Sequence, residues 1–176
     1  MQEAVSYLLR FAVLTLLIGL LPSPAWSQES AVIDGQSDTL RPYAALSYFC
    51  TPPEQSPAPE AVKSDPDAWP WRRADGVPNL GFTAEHCWFR LPVRNVSDQP
   101  ADWWLVVEYA LLGELDVHVL DGDRAVADYR AGMDRRFDTR PAAEALPAFP
   151  LSLPAGAERT VLLEVASPHS IQLPLR

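Results

Sequence analysis

The chain has 176 residues, 48% of them hydrophobic, with two cysteines, eighteen prolines and a formal net charge of −9. That acidity excludes a surface built to hold nucleic acid or anionic membranes, which carry the same sign. The length suits one domain with a real core.

The first segment lies apart from that core. Arg10 is the one cation before an uncharged apolar run at residues 11–21. Pro22-Ser23-Pro24 then stops any helix, and Ala25-Trp26-Ser27 sets small residues at the −3 and −1 positions of a cut. This is the pattern of a signal peptide over residues 1–27, cleaved between Ser27 and Gln28. The apolar run is well short of the ~20 residues that cross a bilayer. Glu3 and Arg10 cancel, so the mature chain keeps the whole charge of −9. The expected location is the periplasm. Disulfides persist there, so Cys50 and Cys87 are expected to be bridged, with two separate buried thiols as the alternative.

Residues 28–79 read as an N-terminal strand near 46–50 and a connection rich in Pro, Ala, Ser and acids. Proline fixes φ and removes a donor, so a central strand or long helix does not fit that connection. Trp69 and Trp71 are its only large apolar side chains and are expected to plug it onto the domain. If 46–50 is an edge strand beside 87–93, a Cys50–Cys87 bridge pins the connection at both ends.

Residues 80–176 carry the main sandwich. Short runs alternate between apolar and polar positions: 87–93, 103–109, 115–120, 125–129, 148–153, 159–166 and 171–175. Asp121-Gly122-Asp123 between two such runs is a hairpin signal. No sustained helical period occurs. The pattern predicts an all-β fold, a jelly-roll-like two-sheet β-sandwich of about eight strands.

Chemistry is sparse. His86, His118 and His169 have no metal-ligand spacing, and there is no nucleophile elbow or phosphate-cradling glycine loop. The expectation is a protein without catalytic residues, metal or cofactor. What remains suits binding a small molecule or saccharide. Trp88 and Arg90 share one strand face, where they can meet a ligand ring and carboxylate, or instead pack on each other under a covered face. His118 lies on a polar face, as a ligand donor or an ordinary exposed histidine. Tyr109 ends an apolar run. Arg136 and Arg140 sit in the main cationic loop, able to hold an anion or to balance nearby acids. Glu108 and Glu164 interrupt apolar strands and are expected to be solvated.

Several fragments in order resemble a known family. They are Asn79-Leu80-Gly81-Phe82, Cys87-Trp88-Phe89-Arg90, Arg94-Asn95-Val96-Ser97 and Trp103-Trp104-Leu105-Val106-Val107. The series continues with Leu115-Asp116-Val117-His118-Val119, Gly132, Arg140-Pro141, Phe149-Pro150-Leu151 and Ile171-Gln172-Leu173-Pro174-Leu175. It resembles the type 2 extracellular domain of 7TM-DISM receptors, bacterial receptors with seven membrane helices and varied cytoplasmic modules. The likeness covers residues 69–175, with a poor match before Trp69 and Cys87 standing where an aromatic is usual. It implies a periplasmic jelly-roll sensor, shaped like carbohydrate-binding modules, followed by a seven-helix region and a diguanylate cyclase or histidine kinase. The chain stops at Arg176, where the first membrane helix is expected, so it reads as a sensor part without its output. Two other readings stay open: a secreted carbohydrate-binding accessory domain, and a homodimerisation module.

Overall fold

The computed structural model describes residues 29–176. The signal peptide and its cleavage point lie outside them. Eleven strands form: β1 (Ala31–Ile33), β2 (Ser47–Thr51), β3 (Arg72–Arg73), β4 (Asn79–Phe82), β5 (His86–Asn95), β6 (Ala101–Val106), β7 (Glu114–Asp121), β8 (Arg124–Ala131), β9 (Ala148–Leu153), β10 (Glu158–Ala166) and β11 (Ser170–Gln172). One short helix, α1 (Pro59–Ser64), lies in the Pro-rich connection. Pro59 opens it, where the missing N–H would have had no partner in any case.

The large sheet has the order β3-β2-β5-β10-β7-β8, with β1 added in parallel to the end of β5. The facing layer is made of two pairs, β6-β9 and β4-β11. They are tied together by the Val107–Leu175 bridge and by Glu108 N–H donating to Pro174 O at 2.8 Å. Between the layers lies the main core. Phe89, Leu91, Leu115, Val117, Val161 and Leu163 meet Leu105, Phe149, Leu151 and Leu173, all buried. Period-2 alternation places these residues on one face. The all-β sandwich predicted from the sequence is therefore the observed architecture.

Pro92 sits inside β5, which is paired on both sides, where proline would normally break the ladder. The register explains why it does not. Asn95 N–H donates towards β10, to Ala157 O, whereas Val96 N–H donates towards β1, to Ile33 O. Even-numbered amides of β5 therefore point to the β1/β2 side. There β2 begins, at Ser47, opposite Arg90, and β1 begins, at Ala31, opposite Val93. Pro92 falls in the gap.

The Cys50–Cys87 disulfide is present, joining residues that face each other across β2 and β5. One expectation needs correction: β2 is not an edge, because β3 pairs with its outer side through Ser47–Arg73 and Tyr48–Arg72. The Asp121-Gly122-Asp123 hairpin forms between β7 and β8. Gly122, at φ 61°, takes the first central position, which a side chain would strain.

Candidate functional site

Inward positions of the large sheet fill the main core, so the alternate residues form its outer face. The register sets them in cross-strand rows. One row runs Phe49–Trp88–Glu164–Asp116–Arg130 and the next Arg90–Leu162–His118–Asp128. This face is not open. Residues 52–71 fold over it as a strap whose ends return to the same place, since β2 precedes it and β3 follows it back onto β2. Beneath the strap lies a second core of Phe49, Val62, Trp88, Leu120 and Leu162, with Trp69 and Trp71 packed against it. Trp69 stacks on Phe49 (5.6 Å, 8°) and Trp71 meets it edge-on (4.8 Å, 71°). The two tryptophans plug the connection as their placement in the sequence suggested.

Trp88 is fully buried. Its ring stacks on His118, with centroids 6.0 Å apart, and offers no face to a ligand while the strap is down. Arg90 lies at the strap's margin. Its guanidinium is 5.9 Å from the Trp71 ring centroid, and Nη1 donates to Asp67 Oδ1 at 2.7 Å and to Pro66 O at 3.4 Å. The cation–π partner is Trp71, from the strap, and not Trp88 of its own strand.

His118 is not an ordinary exposed histidine: it is 7% exposed. Its Nδ1–H donates to Asp128 Oδ1 at 2.5 Å, since a carboxylate can only accept. Lys63 of α1 reaches the same carboxylate at 3.7 Å. The His118 hydrogen bond, helped by Lys63, holds Asp128 below the usual carboxylate range despite its partial burial.

Glu164 and Glu108 are not simply solvated. Glu164 is half-buried opposite Asp116, and desolvation, with the charges of Asp116 and Glu114, pushes it up to about 7. Glu108 pairs with Arg41 and, at 3.1 Å, with Arg176. The Arg41 hydrogen bond holds it below the usual range.

The remaining sequence candidates do not join this face. Tyr109 packs against the inter-sheet core. Arg136 is exposed and bidentate to Asp138, at 3.1 and 2.6 Å. Arg140 covers the Phe137 ring at 4.9 Å and donates to the carbonyls of Glu144 and Ala145.

Two clefts flank the strap. One, of about 570 Å³, is lined by Trp71, Arg73, Arg90, Thr160, Asp67 and Glu158, among others. The other, of about 500 Å³, includes Lys63, His118, Asp128, Arg130 and Thr139. Arg73, Thr160 and Lys63 were not legible as site residues, because nothing in their local sequence shows what the strap brings beside them. Among the described residues, no group of His, Cys, Asp or Glu could hold a metal ion, and no helix is long and apolar enough to cross a membrane.

A disulfide-bridged β-sandwich is an architecture suited to the extracytoplasmic side, where such bridges persist. Residues 44–176 match the family model described as 7TMR-DISM extracellular 2, and the chain belongs to that family. The match starts well before Trp69, so it takes in Cys50 and the whole strap. No curated protein matches the chain. Membership places it among the extracellular sensor domains of seven-transmembrane receptors.

Proposed function

We propose that the domain senses a small acidic ligand, a carboxylated metabolite or an acidic saccharide, in the cleft beside the strap. The observation that carries this reading is the meeting of Arg73, Arg90, Trp71 and Thr160 on one cleft. Arginine forks match carboxylates bidentately, an indole ring accepts the apolar face of a sugar, and a threonine hydroxyl can donate or accept. The domain binds and does not catalyse. In the receptor, its ligand would bias the seven-helix region and a diguanylate cyclase or histidine kinase beyond it, by differential affinity for two states.

The test is a thermal-shift panel of glucuronate, galacturonate, succinate, citrate and neutral glucose against the mature domain. A ligand at 100-fold its Kd adds about 2.7 kcal/mol, or roughly 5–10 °C for a domain of this size. At least one carboxylate should give such a shift, and Arg73→Ala should remove it. A panel in which no carboxylate shifts the melt, or in which Arg73→Ala responds like the wild type, overturns the assignment.

A further inference from the structure

On the outer face, Glu164 stands between Trp88 on β5, which the strap covers, and Asp116 on β7, which shares a cleft with Glu60 of the strap; it is directly opposite each in register. Arg135, Lys63 and Arg90 are already engaged. Arg135 donates to Glu114 at 2.8 Å and to Asp116 at 3.2 Å. Lys63 of α1 lies 3.6 Å from Glu60 and 3.7 Å from Asp128. Arg90 of β5 is held by Asp67. On β8, Arg130 faces Asp116 across the sheet, and Asp128 takes the His118 hydrogen bond. The Glu164 side chain makes no ion pair or hydrogen bond among the described residues. It meets the like charges of Asp116 and Glu114 from β7 and, last in size, Glu60 from α1, against the smaller opposite pull of Arg135.

We infer that the strap is a pH-dependent cover over this face, seated when Glu164 is protonated and loosened when Glu164 ionises against Asp116, Glu114 and Glu60. Among the described residues, the strap's ionic ties to the sheet are Asp67–Arg90 and Lys63–Asp128, and the rest of its hold is the small apolar cluster around Val62, Trp69 and Trp71, so it is the part that can lift and admit water. The main core, on the opposite side of the sheet, need not move. The sign follows from the raised carboxyl: protons bind the seated form more tightly, so seating is favoured at low pH and weakens as pH rises towards and through about 7. This holds whatever ligand the clefts accept.

The experiment is amide hydrogen exchange on the mature domain at about pH 6 and about pH 8, corrected for intrinsic rates. Protection of α1 and of residues 69–71 should fall about tenfold at the higher pH, while that of β10 stays unchanged. Glu164→Gln should abolish the fall. Asp116→Asn removes the opposed charge and so brings the seated Glu164 carboxyl back towards its ordinary value; the fall between about pH 6 and about pH 8 should shrink and be complete at lower pH. His118→Gln tests the neighbouring titratable group and should leave the fall in place. Wild-type protection equal at both pH values overturns the inference. So does a fall that persists in Glu164→Gln, one that is undiminished in Asp116→Asn, or one that vanishes in His118→Gln.

Discussion

Asn95 offers the sharpest test of how the two ends of the sandwich are joined. It is fully buried at the end of β5. Its Nδ2 donates to Gln99 O at 2.8 Å and to the carbonyls of Leu153 and Pro154, each at 3.1 Å. Its Oδ1 accepts from Ser97 N–H at 3.0 Å and from Ser97 Oγ–H at 2.7 Å. One amide therefore ties β5, the turn after it and the end of β9. Asn95→Asp keeps the shape and turns the donor into an acceptor facing three carbonyl oxygens. Each buried polar group left unsatisfied costs about 1–3 kcal/mol, so the total should be roughly 3–5 kcal/mol near neutral pH. That is a large share of a domain's usual 5–15 kcal/mol or so. The new carboxyl, buried among carbonyl dipoles, should titrate above its unfolded value of about 3.9. A raised folded-state value means the deficit is smallest below that value and grows as pH rises through the folded one. Urea unfolding of both proteins at about pH 4 and about pH 7.5 reads this directly. If the variant matches the wild type near neutrality, or its deficit does not shrink in acid, the described network does not hold the domain together.

Two further outcomes follow from the same geometry. Replacing both Cys50 and Cys87 by alanine should cost about 4 kcal/mol in the loop-entropy model, given their separation of 37 residues; a loss under about 1 kcal/mol by urea unfolding would mean the unfolded chain is already constrained there. Gly132→Ala should lower the melting temperature far more than Gly122→Ala. At Gly132 (φ 117°) an added Cβ would meet Gly113 O at 2.1 Å, whereas at Gly122 nothing lies within 4 Å. The expected costs are about 3 kcal/mol or more against about 1 kcal/mol, and equal melts would refute the close approach.

The family match sets the strap within the domain and not before it. That matters for the binding proposal, because the strap supplies Trp71 and Asp67 to one cleft and Lys63 to the other. A ligand displacing Asp67 from Arg90 would act on the same cover that Glu164 is inferred to loosen.

The long strands were legible because their two faces differ. Val161, Leu163 and Val165 on β10, and Leu115, Val117 and Val119 on β7, alternate with neighbours that are polar except at Leu162, Leu120 and Ala166, and period-2 alternation has one structural meaning. β1, β3 and β4 were not, since segments of two to four residues carry no period and exist only through the strands they join. The Cys50–Cys87 pairing was also within reach, because two cysteines in an exported chain have one intramolecular partner each.

What lies over the outer face was decided by tertiary structure alone. Alternation shows that Trp88, Arg90 and His118 point away from the main core, but it cannot say whether water or another segment meets them. The answer depends on residues 52–71 folding back, which rests on Val62, Trp69 and Trp71 finding Phe49, Trp88 and Leu162. For the same reason Glu164 looked like a solvated break in a strand. Its opposition to Asp116 is a matter of β10–β7 register, which no pattern within β10 shows. The sandwich was readable from a periodicity local to each strand. Which outward residues are covered, paired or poised was set by contacts between segments far apart in the chain, and no local pattern encodes those.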